Sequence, residues 1–187
     1  MHSFIDTLGG NPIIAAVKNE QGLEGALRTD CSVIFVLYGD VCSIPTISER
    51  IAQAGKTAFI HVDLIDGLAT REVSIDYLHK VTGAAGVIST KPSLIRRAHE
   101  LGLCAVQRFF VIDSMALDSL GRQLEHTCPD VIEILPGVMP KVLRRITTMT
   151  RIPVIAGGLI SDKEDIVMAL DAGAAAISST DAHVWQL

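Results

Sequence analysis

Aromatic side chains are scarce: they make up 4% of the 187 residues, with five Phe, two Tyr and one Trp. No aromatic platform for stacking bases can be read from them, and neither an RNP motif nor a KH loop occurs. Cysteine is also sparse. Cys31, Cys42, Cys104 and Cys128 form no CxxC pair and no Cys/His ligand spacing, so reduced structural thiols are expected. His2, His79, His99, His126 and His183 fall on expected helices or chain ends without ligand spacing, and neither a metal nor a cofactor is expected. There is no Ser/His/Asp or Cys/His signature and no Walker A loop. No apolar run approaches the roughly 18 residues that cross a bilayer. The N-terminus carries Asp6 and lacks an apolar h-region, so the expectation is a soluble cytoplasmic protein without a signal peptide or membrane partner. A net charge of −5 weighs against nucleic acid as a partner of the whole surface.

What is abundant is aliphatic. Hydrophobic residues reach 49% against 20% charged, enough for one domain over residues 1–187 with an Ile, Val, Leu and Ala core. Short apolar runs recur at Pro12–Ala16, Val33–Tyr38, Thr57–Leu64, Ala85–Ser89, Leu103–Phe110, Val131–Leu135, Pro153–Ala156 and Ala174–Ser178. Amphipathic segments separate them. Leu23, Ala26 and Leu27 stripe the first, Ile44, Ile47 and Ile51 the second, and Val73, Tyr77 and Leu78 the third. The fourth starts at Pro92, Leu117, Leu120 and Leu124 mark the fifth, and the sixth starts near Pro140 with Val142, Leu143 and Ile146 inward. Eight strands alternating with helices predict a parallel sheet, and eight is the number that closes a (β/α)8, TIM-like barrel. At this length the barrel is lean, with short loops and no inserted domain. An open doubly wound sheet is the alternative fold.

The stretch from Ile152 to Thr180 is the most informative. A buried strand leads into Gly157-Gly158, then a helix capped by Ser161 or Asp162 and striped by Ile166, Val167 and Leu170. Gly173 ends that helix, and the last strand runs into Ser178-Ser179-Thr180. In the last two units of a β/α barrel this succession builds a phosphate pocket from backbone N–H groups and a helix N-terminus. The alternative is that the glycines only pack a tight turn.

Polar residues gather where the other strands end, the face on which barrels carry their chemistry. They are Asp40, His61 and Asp63, Lys91, Gln107 and Arg108, Glu133 and Gly137. Alternation along a strand puts His61 and Asp63 on one face. Such a ring suits a small hydroxylated, phosphorylated ligand. Each member also has a plain reading: His61 as a satisfied core imidazole, Lys91 as a solvated first-turn lysine, and Asp63 and Glu133 as partners of Lys91 and Arg108. Lys91 is also the candidate for a Schiff base. Charge is unevenly spread, with 9 basic against 6 acidic groups in residues 85–151 and no acid from Val138 to Ile160. Arg96, Arg97, Lys141, Arg144, Arg145 and Arg151 are therefore where a polyanion would dock, unless they form an ordinary solvated helix face.

Six segments, Asn11–Val17, Phe59–Leu64, Gly86–Lys91, Gln107–Phe110, Glu133–Lys141 and Pro153–Asp162, together resemble the glycerol-3-phosphate-responsive antiterminators of glycerol uptake operons. The hydroxyls Ser178, Ser179 and Thr180 and the lean length suit the same family. The resemblance implies a non-catalytic barrel that binds glycerol 3-phosphate as effector and acts on leader mRNA, preventing a terminator hairpin. On the reading of the residues above, the phosphate would be held at Gly157, Gly158, Ser178, Ser179 and Thr180, and the only RNA contact the local physics permits is to backbone phosphates through the basic residues just named. An isomerase or aldolase acting on a small phosphorylated carbonyl compound is the alternative, with Glu133 or Asp63 as base and Lys91 or His61 as acid or electrophile. Whether the chain forms a homo-oligomer is left open, as is the place of Trp185.

Overall fold

The computed structural model describes residues 4–187, so His2 lies outside the described residues. Eight parallel strands close into a barrel in sequence order: β1 (Ile13–Val17), β2 (Val33–Val36), β3 (Thr57–His61), β4 (Gly86–Ser89), β5 (Cys104–Phe110), β6 (Val131–Leu135), β7 (Val154–Gly157) and β8 (Ala176–Ser179). Closure is made by β1 pairing with β8, Ile14 opposite Ser178. The open doubly wound alternative is thereby excluded.

A four-residue helix, α1 (Phe4–Thr7), precedes β1, and seven helices follow the first seven strands. These are α2 (Glu20–Ala26), α3 (Ile44–Gln53), α4 (Glu72–Val81), α5 (Pro92–Glu100), α6 (Ser114–Thr127), α7 (Pro140–Met149) and α8 (Lys163–Asp171). Proline in the first turn opens α3, α5 and α7, where its missing N–H costs no hydrogen bond. After β8 stands only a 3-10 turn, Val184–Gln186. Trp185 in that turn is buried, its indole N–H donates to Ser179 O at 2.7 Å, and its ring lies against Gly22 and Gly25 of α2. The indole thus links the end of β8 to α2.

Alternation along the strands divides the core in two. Ile14, Ala16, Val33, Phe35, Phe59, Ile88, Val106, Val131, Ile155 and Ala176 fill the barrel interior, closed below by Phe4 and Leu8. Residues of the other parity, such as Ala15, Ile34, Ile60, Val87, Ile132 and Ile177, pack against the helices. Expected stripes are met at Leu23, Ile47, Leu120, Leu143 and Ile146. Two are corrected: α4 buries Ser74, Ile75 and Leu78 and leaves Val73 exposed, and α8 buries Ile166 and Ala169 and leaves Val167 exposed. All four cysteines are free; Cys42 and Cys128 are exposed.

A second correction falls on the third strand. The apolar run Thr57–Leu64 is not one strand, because β3 ends at His61 and Val62–Leu64 turns as a 3-10 helix. Composition cannot mark this end, since Val62 and Leu64 are as apolar as the strand before them.

The barrel interior is tight enough that glycine is demanded at particular points. A Cβ on Gly86 would lie 2.3 Å from Cys104 O and 2.5 Å from the Phe59 ring, whereas one on Gly55, which has φ +72°, meets nothing within 4 Å. Gly86→Ala is therefore expected to lower stability by about 2 kcal/mol or more, roughly 4–8 °C in melting temperature. Gly55→Ala should show only the smaller backbone strain. Equal losses in calorimetric melts of the two variants would contradict this account of the interior.

Candidate functional site

The C-terminal ends of the strands open on a cavity of about 390 Å³ lined by Ala16, Leu37, Arg108, Glu133, Leu135, the loop Gly158–Ser161 and Ser178–Asp181. Its size suits a small ligand. Its floor is a polar cluster inside an otherwise aliphatic barrel. Parallel pairing puts Arg108 of β5 opposite Glu133 of β6, and Nε of the arginine donates to Glu133 Oε2 at 2.6 Å. The other carboxylate oxygen, Oε1, accepts from Ser178 Oγ at 2.5 Å. Glu133 is wholly buried and Arg108 nearly so. A charge held that deep persists only when paired and hydrogen-bonded, and both conditions are met here. Among the described residues the two Nη groups of Arg108 have no protein acceptor, and the side chain lines the cavity.

Gly157 belongs to this floor. A Cβ there would stand 2.6 Å from Ser178 Oγ and 2.7 Å from Glu133 Oε1, so the glycine makes room for the buried carboxylate. Sequence reading assigned both glycines to the phosphate; the geometry divides them. Gly158, with φ +75°, turns the chain into the loop, and Leu159 follows at φ +63° with its side chain exposed. Two successive left-handed residues, one of them not glycine, mark a backbone held in an uncommon shape.

Three loops are tied together at this mouth. Gly137 N donates to Gly158 O at 3.1 Å, and Ser179 Oγ donates to Ile160 O at 2.8 Å. A Cβ on Gly137 would be 2.9 Å from Gly157 N, so that glycine serves the close approach of the β6–α7 loop. Among the described residues, the backbone N–H groups of Gly158, Leu159, Ile160 and Thr180 donate to no protein acceptor. They are a set of donors at the rim of a cavity, the requirement for holding an oxyanion without a lysine. The start of α8 is not part of that set. Asp162 caps it by accepting from Asp165 N, and the Asp165 carboxylate takes Ser161 N and Oγ. With Asp162, Glu164 and Asp165 there, the helix N-terminus is occupied by its own acids, and the helix-dipole part of the expectation is corrected.

The other expected ligand groups are spread unevenly. His61 points into the barrel beneath the mouth and is 3% exposed; its Nδ1 has no partner among the described residues, so it is not a satisfied core imidazole. Burial and the nearby Arg108 charge, partly offset by Asp63, push its pKa down to about 4, which keeps the ring neutral near pH 7. Asp63 does not share a strand face with it, because the 3-10 turn intervenes. Its carboxylate is exposed and accepts from Ser89 Oγ, Thr90 N and Thr90 Oγ1, bracing the β4–α5 loop instead of pairing with Lys91. Asp40 caps the turn into α3 through Cys42 N and Ser43 N, and those N–H groups, with Ser43 the larger cause, hold its carboxyl below the usual range. Lys91 is exposed at the N-cap of α5. Gln107 faces away from the barrel interior, bonded to Thr127 and Gln123 of α6.

Sequence reasoning missed the Leu159 and Ile160 amides, since a backbone donor carries no side-chain signature. It also missed Lys18, which follows β1 and lines an adjoining depression that shares Ala16 and Thr180 with the cavity. A lysine directly after a predicted strand was the available signal.

The basic residues do not form one patch. Arg96 and Arg97 lie on α5, Lys141, Arg144 and Arg145 on α7 with Arg151 just beyond it, and α6 stands between. Arg97 is engaged with Asp76 at 2.6 Å and Glu100 at 2.8 Å, and Arg145 sits 3.8 Å from Asp118. Among the described residues Arg96, Lys141, Arg144 and Arg151 are exposed and make no ion pair. Of these four exposed, unpaired cations, three lie on α7 or just past its C-terminal end and one on α5. No group of three or more His, Cys, Asp or Glu that could hold a metal occurs among the described residues, and none of their helices is long and apolar enough to cross a membrane.

With the geometry in place, four likenesses bear on it. The family model described as "Glycerol-3-phosphate responsive antiterminator" matches residues 13–185. The chain is 47% identical to the Escherichia coli K12 protein YgcP, itself uncharacterized, over 98% of this chain and 96% of that one. A crystal structure of a glycerol uptake operon antiterminator regulatory protein from Listeria monocytogenes superposes with a TM-score of 0.91 at 32% identity, covering 94% and 95% of the two chains. A crystal structure of a glycerol uptake operon antiterminator-related protein from Thermotoga maritima gives a TM-score of 0.84 at 33% identity, covering 94% and 98%. Enzyme barrels at 20% identity or less share the fold and nothing further.

The buried neutral His61 has a pH signature. Unfolded, a histidine titrates near 6.5; folded, this one titrates near 4. Between those values the unfolded chain binds more protons, so the His61 contribution is full above about pH 6.5 and is lost as pH falls towards 4. The loss is on the order of 3 kcal/mol at most. In urea unfolding at pH 7 and pH 4.5, wild type should lose more stability than His61→Gln; equal losses would contradict the assignment.

Proposed function

The chain belongs to the glycerol-3-phosphate responsive antiterminator family, and on that footing we propose that it senses glycerol 3-phosphate at the barrel mouth. With the effector bound, it acts on leader mRNA as a transcription antiterminator of glycerol utilisation genes. The observation that carries the sensing half is the set of unbonded N–H groups at Gly158, Leu159, Ile160 and Thr180 above a polar floor. The phosphate sits against those amides and the Ser179–Thr180 turn; the glycerol end descends towards Arg108 and Glu133.

Regulation follows from linkage. A ligand that binds only the folded, RNA-competent form stabilises it by RT ln(1 + [L]/Kd), about 2.7 kcal/mol at a hundredfold excess. The loops it would order are bonded to one another, and the β6–α7 loop leads at Pro140 directly into the basic helix. RNA contact is then to backbone phosphates through Lys141, Arg144, Arg145 and Arg151, since no stacking surface accompanies them. Catalysis is disfavoured by the same floor. Glu133 is committed to Arg108 and Ser178 as a structural ion pair, and Lys91 is exposed at a helix start instead of desolvated in the cavity as a Schiff-base lysine requires.

Glycerol 3-phosphate at a hundred times its dissociation constant is expected to raise the melting temperature by roughly 5–10 °C. No shift at millimolar ligand, or turnover of a triose phosphate that Lys91→Ala abolishes, would overturn the sensor reading. Binding to leader transcript should weaken with salt at a slope of about −0.7 per phosphate contact. The double variant Arg144→Glu with Arg145→Glu should abolish that binding while leaving the effector-induced thermal shift intact. Unchanged RNA affinity would remove α7 from the RNA surface.

A further inference from the structure

Among the residues lining the cavity the charged groups are Arg108, Glu133 and Asp181. The single cation is already compensated by Glu133 at 2.6 Å, and Asp181 adds a second acid at the rim, its Oδ1 accepting from His183 N. His61, just below, contributes no compensating charge because its ring is neutral near pH 7. The floor is therefore polar without net positive charge.

Its hydrogen-bonding capacity is nevertheless largely unspent. Nε is one of five N–H donors on Arg108, so four remain on the two Nη groups. Each oxygen of Glu133 accepts one bond, from Arg108 or from Ser178, and a carboxylate oxygen can accept two. Donors and acceptors lying side by side match hydroxyl groups, each of which gives one hydrogen bond and accepts two.

We propose that the Arg108–Glu133 pair is a specificity filter: it admits the neutral, vicinal-hydroxyl end of a phosphomonoester and rejects a carboxylate at that position. This rests on the reading of the loop amides as the phosphate holder. With the phosphate there, a carboxylate at the other end would be buried against Glu133 with no uncompensated cation to meet it. Like charges brought together in a desolvated site are strongly disfavoured. A hydroxyl meets an unspent donor or acceptor whichever way it turns. The pair is thereby given a reason to be buried, since an aliphatic pair of the same volume would close the barrel equally well.

The test is a calorimetric comparison of glycerol 3-phosphate, 3-phosphoglycerate and inorganic phosphate on the whole protein. The two organic ligands share a phosphate and differ at the end that meets the floor. 3-Phosphoglycerate is expected to bind at least about 10-fold more weakly than glycerol 3-phosphate, with inorganic phosphate weak but measurable. In Glu133→Gln the anion is removed and the ratio should narrow several-fold; should that variant not fold, the wild-type ratio decides alone. Equal or tighter binding of 3-phosphoglycerate by wild type, with phosphate and glycerol 3-phosphate both bound, overturns the filter and leaves the phosphate site standing. Failure of both glycerol 3-phosphate and phosphate to bind overturns the phosphate site, and the filter with it.

Discussion

A fully buried carboxylate has to be matched, and the upper layer of this barrel is arranged around that requirement. Glu133 takes Arg108 from the strand on one side and Ser178 from β8, across Gly157 of the strand between them. Gly157 is glycine because the carboxylate fills the space a Cβ would need. Removing one partner would leave an uncompensated charge in an aliphatic interior, a loss of roughly 3–5 kcal/mol. Three strands, β5, β6 and β8, are thus tied by one polar cluster at the level where the barrel opens, with β7 making room for it.

Above the cluster, loops after β6, β7 and β8 are joined by two hydrogen bonds, Gly137 to Gly158 and Ser179 to Ile160. In both bonds the β7 loop contributes a carbonyl oxygen as acceptor, Gly158 O or Ile160 O, and its Gly158, Leu159 and Ile160 amides stay unspent. The left-handed pair Gly158 and Leu159 shapes the loop, and the acids at the start of α8 keep the helix end from competing as an anion site. The unspent donors at the mouth are therefore backbone amides, which cannot be titrated or repositioned by side-chain rotation. That suits a receptor that must respond to ligand concentration and little else.

The fold was legible because burial on both faces of a parallel strand writes itself as an unbroken aliphatic run, and eight such runs stand out against polar helices. What failed was local. Thr57–Leu64 continues the apolar pattern past the true end of β3, and Val73 and Val167 carry apolar side chains on exposed helix positions. The two loops that line the cavity could be placed from Gly157-Gly158 and Ser178–Thr180, yet the different surroundings of the two glycines could not, because those of Gly157 depend on a carboxylate of the preceding strand, distant in sequence and adjacent in space. The pairing of Glu133 with Arg108 was foreseeable from chemistry alone; that of Asp63 with Ser89 and Thr90 was hidden by the misplaced strand end. Basic residues close in sequence suggested one surface, and the barrel's order of helices separated Arg96 and Arg97 from α7.

The decisive observation is at the amides themselves. In ¹H–¹⁵N spectra of the whole protein titrated with glycerol 3-phosphate, the N–H resonances of Gly158, Leu159, Ile160 and Thr180 should move downfield together as they acquire an anionic acceptor. Saturable shifts confined to another surface, with those four resonances unmoved, would mean that the mouth of the barrel does not hold the phosphate.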